Sequence, residues 1–217
     1  MRIKSSLFVL FFLLTACSRS VPENQWQYQA SAMSQKYQEH FLQKKSFRAE
    51  LDLSHARSLA RQSAELSTLI DIELTSCAME LGVLAPHPCK NALELLILDP
   101  DPSQKAYFHL LTAQFSYGEI SLLPAQYRDF AKAFLDEDTT RINRALGRIE
   151  PLSSRLVASA LSREKIDEKN IQELIKRLSF KGYKNPLLSW LELQMRREQD
   201  PRKKARLKAK ISVLTSD

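Results

Sequence analysis

The chain has 217 residues, enough for one domain with a real hydrophobic core or two very small ones. Hydrophobic side chains make up 44% and charged ones 26%, which excludes an intrinsically disordered chain, since such a chain is poorer in apolar residues. The formal charge of +7 is a mild excess. It suits weak attraction to anionic surfaces and equally a solvated exterior rich in Lys and Arg.

Residues 1–17 read MRIKSSLFVLFFLLTAC, with Arg2 and Lys4 ahead of an unbroken apolar run from Leu7 to Leu14. That run is far shorter than the roughly 20 apolar residues that span a bilayer, and it matches the apolar region of a signal peptide. No later stretch is long enough, so no transmembrane helix is expected after it. The run ends in Leu14-Thr15-Ala16-Cys17. This motif resembles the lipobox of bacterial lipoproteins: an aliphatic residue, a small residue, Ala or Gly, then Cys. The resemblance implies cleavage before Cys17 by signal peptidase II and three acyl chains at that residue, palmitate among them. One chain anchors weakly, at about 0.8 kcal/mol per buried CH₂, whereas three give effectively permanent attachment. The expected organisation is a signal peptide over 1–16, a lipidated tether over 17–23 and one all-helical periplasmic domain over 24–217. In the sorting rule of this class Asp after the cysteine retains the protein in the inner membrane. Ser18 stands there instead and points to the outer membrane.

Beyond Cys17 the cysteines are Cys77 and Cys89. In an oxidising compartment the simplest reading is a disulfide stapling the end of one helix to the start of the next, across Gly82, Pro86 and Pro88. A metal pair with His87, a redox pair and two free thiols are the alternatives. The spacing fits no zinc pattern, and there is no C-x-x-C.

The rest of the chain is rich in Leu, Ala, Gln, Lys, Arg and Glu, and no alternating strand pattern appears. Trp26, Ala30, Met33, Tyr37 and Phe41 predict a first helix. Apolar positions from Leu53 to Leu81 predict a long second one. A short helix follows over about 89–98, and Asp99-Pro100-Asp101-Pro102 restarts the chain into a helix carrying Phe108, Leu111 and Phe115. Residues 116–123 read as a loop. Helix starts then fall near 124, 138, 151, 167, 186 and 201, with Asp167, Asn185-Pro186 and Asp200-Pro201 as start signals. In the last helix Ala205, Ile211 and Leu214 are expected to face inward. Gly82 and Gly182 sit where helices should stop. The fold class is therefore all-α: an irregular helical bundle or short TPR-like array of about 9–10 helices. Two helices per roughly 30 residues is the TPR-like period, but the TPR signature is not found in register.

Chemistry-bearing patterns are sparse. His40, His55, His87 and His109 are scattered, with no paired ligand spacing and no expected metal. Asp136, Glu137 and Asp138 precede a helix start and are expected to serve its N-terminus. There is no G-x-S-x-G, P-loop or G-x-G-x-x-G, so no catalytic residue or cofactor is assigned and the protein is expected not to be an enzyme. Tyr117, Tyr127 and Trp190 are candidates for contact with a partner, with core packing as the alternative. Residues 196–210 are strongly basic, and Arg202, Lys203, Lys204, Arg206, Lys208 and Lys210 form a candidate patch on the last helix. The expected function is a non-enzymatic accessory, hung from the outer membrane through acylated Cys17 and binding another envelope protein, as pilotins and TPR adaptors do by architecture. Nucleic acid is not an expected partner. The rivals are a cell-wall enzyme or its activator, which would gather Asp136, Glu137 and Asp138 against His109, and a binder of anionic envelope ligands through the basic patch.

Overall fold

A computed structural model describes residues 24–85, 89–99 and 101–216. Cys17, the signal and tether around it, and His87 lie outside the described residues. In chain order the elements are α1 (Gln25–Leu42), α2 (Ser46–Ala60), α3 (Ser67–Gly82), α4 (Lys90–Leu98), α5 (Pro102–Leu111), a 3₁₀ helix (Tyr117–Leu122), α6 (Ala125–Leu135), α7 (Thr139–Arg148), α8 (Leu152–Leu161), α9 (Glu168–Lys181), α10 (Lys184–Arg197) and α11 (Pro201–Thr215). The fold is all-α, and no strand occurs among the described residues.

Local chemistry explains most boundaries. The Asp101 carboxylate accepts from the Ser103 and Gln104 amides, with Pro102 in the first turn, and Asp200 and Pro201 do the same for α11. Asp138 and Asp167 cap α7 and α9. Gly182 ends α9 with φ +68°, a left-handed conformation that glycine adopts without steric cost.

Three expectations need correction. The long helix predicted from Leu53 to Leu81 is two helices, separated at residues 61–66, where the Ser63 hydroxyl takes up the Glu65 amide and competes with helical hydrogen bonding. The predicted loop at 116–123 contains a 3₁₀ helix, and the Glu119 carboxylate folds back on the Ser116 amide and hydroxyl. The described residues therefore hold more helices than the 9–10 expected. In α11, Leu207 is the buried side chain, Ile211 and Leu214 are half-buried and Ala205 is exposed.

The helices are arranged around α3. Its buried positions include Leu69, Ile70, Ile72, Leu74, Cys77, Ala78 and Met79, so nearly every side of it is covered. It packs against α1, α2, α4, α5 and α8. Its buried Glu73 is satisfied by a fork from Arg57 on α2, at 2.6 and 2.7 Å, and by the Asn91 amide on α4 at 3.2 Å. At its C-terminal end a Cβ on Gly82 would stand 3.5 Å from the Leu156 Cβ, so α3 and α8 run in close contact there. The fully buried Trp190 of α10 donates its indole N–H to the Gly82 carbonyl at 3.0 Å. Cys77 and Cys89 are joined by a disulfide, with Cα atoms 5.3 Å apart, which fixes the start of α4 to α3. In the C-terminal half, α6 packs on α7, α9 on α10 and α10 on α11, each against its chain neighbour. One hydrophobic core, from Ala30 to Leu207, runs through both halves.

Two stability measurements check this frame. Trp190→Ala empties the junction of α3, α8 and α10, and urea unfolding is expected to show a loss of about 3–5 kcal/mol. Replacing both Cys77 and Cys89 by Ser removes the closed loop and is expected to cost about 3 kcal/mol, read as a lower midpoint with unchanged helical circular dichroism.

Candidate functional site

The chain closes on a groove among α9, α10 and α11. α10 lies between the other two, packed on each. One end of the groove encloses about 720 Å³, bordered by Glu168 and Lys176 of α9, Arg197 of α10, and Lys203 and Arg206 of α11. The adjoining end encloses about 500 Å³ and is mostly apolar, lined by Ile175, Leu187, Leu191, Val213 and Leu214. Ile175, Ser179 and Lys210 border both, so the two ends are continuous.

Helical spacing builds the α11 wall. Lys203, Arg206, Leu207, Lys210 and Leu214 recur at steps of three and four and share one stripe. Leu207 is its buried foot, while Val213 is 74% exposed. The sequence-predicted patch is thereby divided: Lys203, Arg206 and Lys210 face the groove, while Arg202, Lys204 and Lys208 are exposed outside it.

The charges are unevenly satisfied. Glu168 accepts from Gln172 at 2.9 Å and from Gln194 at 2.6 Å. The Arg197 guanidinium is spent on the carbonyls of Arg163 and Ile166, where it ties α10 to the turn before α9. Among the described residues the side-chain cations of Lys176, Lys203, Arg206 and Lys210 make no ion pair. The groove thus combines an apolar floor with four cations that form no ion pair among the described residues, beside two carboxylates, Glu168 and Glu198.

The aromatic candidates fare differently. Tyr117 is 57% exposed and donates its hydroxyl to Asp136, which also pairs with Arg141. Tyr127 and Trp190 are 2% and 0% exposed, which corrects their assignment as partner-contact residues. Tyr127 packs on Tyr107 with ring centres 5.7 Å apart, and Trp190 fills the α3 junction. Burial pushes both the Tyr107 and Tyr127 hydroxyls up, so they stay neutral.

The acidic run is not gathered on His109. His109 meets Glu119 at 2.5 Å, Asp138 caps α7, and Asp136 serves Tyr117 and Arg141. His40 bonds Asp52 at 2.6 Å, joining α1 to α2. No group of three or more His, Cys, Asp or Glu residues among the described residues converges as metal ligands would.

Ile175, Leu187 and Leu191 stand at apolar helical positions that suit a core. Leu187 and Leu191 are indeed core residues with Ile175 packed against them, and nothing in the sequence signalled that they also line the groove. Only the stripe of Lys203, Arg206 and Lys210 at helical spacing was a usable signal for one wall.

Several carboxylates are tuned by these contacts. The Tyr117 hydroxyl and Arg141 hold Asp136 below the usual carboxylate range. Glu173 is held low by the buried Arg155 guanidinium at 2.8 Å. Loss of solvent would raise Glu119, but bonds from His109 and Ser116 bring it below its ordinary value. Each depressed carboxylate favours the folded state in full above its unfolded pKa, about 4. That contribution is lost as pH falls through the lower folded value. Urea midpoints are therefore expected to be level near neutrality and to drop below about pH 4, with a smaller drop in Glu173→Gln.

Compared with protein-family models, with curated proteins and with solved structures, the chain matches none.

Proposed function

We propose that this protein is a lipid-anchored, non-enzymatic adaptor of the bacterial envelope, held on the outer membrane through Cys17 and docking another envelope protein. The observation that carries the reading is the ordered N-terminal signal: Arg2 and Lys4, the apolar run to Leu14, then Leu14-Thr15-Ala16-Cys17. The Cys77–Cys89 disulfide agrees with an oxidising compartment such as the periplasm. No helix of the described residues is long and apolar enough to cross a membrane. A groove with unpaired cations and an apolar floor supports binding as the task of the domain.

Cells fed labelled palmitate, then fractionated, test the anchor. The native protein is expected to carry label and to sediment with outer membranes. Cys17→Ser is expected to carry no label and to keep its uncleaved N-terminus. In the same cells, chemical cross-linking is expected to join the native protein to a defined envelope protein. Absence of label from the native chain, or absence of any cross-linked envelope protein, overturns the proposal.

A further inference from the structure

We infer that the groove among α9, α10 and α11 receives an acidic amphipathic helix from a protein partner. The inference rests on the adaptor reading and adds the partner's chemistry to it. Lys176 stands on the α9 wall, and Lys203, Arg206 and Lys210 stand on the α11 wall, so positive charge flanks the channel on two sides. Ile175 and Leu207 line this charged end, and Leu187, Leu191 and Leu214 continue the apolar floor into the adjoining end, which shares Ile175 and Lys210 and where Val213 leaves a large apolar surface uncovered.

A ligand that satisfies both features needs carboxylates along its edges and aliphatic or aromatic side chains on one face. From Lys203 to Leu214 the α11 wall extends about 16 Å, the length of roughly eleven helical residues at 1.5 Å each. Three turns of helix offer apolar anchors at i, i+4 and i+7, which suit the floor, with acids on the flanking positions. The four cations make no ion pair among the described residues, and with Arg197 they outnumber the two carboxylates of the same lining, Glu168 and Glu198, which gives the complementarity its force. An anionic bilayer fits less well. The charges border a recess rather than a flat face, and a planar headgroup layer would meet Arg202, Lys204 and Lys208 outside it first.

The test uses detergent-purified full-length protein as bait for a displayed library of random peptides about 12 residues long, the length that fills the wall. Enriched sequences are expected to combine several Asp or Glu residues with Leu, Ile, Met or Phe at helical spacing. A fluorescent peptide of the enriched consensus is expected to bind the native protein. It should bind about tenfold or more weakly to Lys203→Glu/Arg206→Glu, which sets like charges against the ligand. Val213→Asp is expected to weaken it to a similar degree, and the same peptide with Lys in place of its acids should prefer the charge-reversed variant. These positions are exposed, and circular dichroism of each variant is expected to match the native protein.

Failure to enrich any peptide, enrichment of sequences without acids, or equal binding to native and variant proteins overturns the inference. So does an outcome in which vesicles of phosphatidylglycerol, and no peptide, bind in a manner that needs Lys203 and Arg206. The adaptor reading fails separately: it fails when no envelope protein is cross-linked in cells. If a partner is cross-linked undiminished in Lys203→Glu/Arg206→Glu, the adaptor stands and the groove assignment falls.

Discussion

A helix covered on nearly every side has to be enclosed, and the enclosure of α3 sets the rest of the arrangement. Its apolar positions cannot be hidden by a single partner, so α1, α2, α4, α5 and α8 all take a side. The one full charge buried in it, Glu73, makes the positions of two of those partners specific. A carboxylate removed from water needs ionic and hydrogen-bonding partners, and Arg57 and Asn91 supply them from α2 and α4. Apolar contact alone tolerates sliding, whereas a bidentate fork holds one register.

The same helix also connects the halves of the chain. Gly82 lies against Leu156 of α8, and its carbonyl takes the indole proton of Trp190, a residue 108 positions later. A Cβ at 82 would make ordinary van der Waals contact with Leu156, whereas loss of the indole would leave both a void and an unpaired carbonyl. Because α10 is pinned at this point, α9 and α11 are placed on its two flanks, and the groove between them inherits its shape from a contact deep in the core. Arg197 adds a second restraint by bonding the turn before α9.

The groove and the disulfide serve different ends. Cys77–Cys89 and the carboxylate contacts of Glu119 and Glu173 hold elements together. The groove cations form no ion pair among the described residues. Charges without an internal ion pair are available for recognition, where complementarity governs encounter and specificity more than raw affinity.

Much was legible in the sequence because it was written locally. Asp101-Pro102, Asp138, Asp167, Asp200-Pro201 and Gly182 act on backbone groups within a few residues, so their effect on helix ends does not depend on the fold. The all-α class followed from composition and helical periodicity, and two cysteines twelve positions apart at a helical corner made a disulfide the simplest pairing. The break at residues 61–66 carries neither Gly nor Pro, and the apolar spacing runs on through it, so periodicity passed over it. Tertiary packing alone decided that Tyr127 and Trp190 lie inside, since an aromatic at helical spacing suits a core and a docking face equally. It alone divided the basic stripe of α11 into groove-facing and outward residues and set Ile175, Leu187 and Leu214 around one recess. The reason is distance along the chain. A cap is formed by neighbours in sequence, whereas a groove is formed by side chains tens of residues apart, which meet only after the core has fixed how three helices lie together.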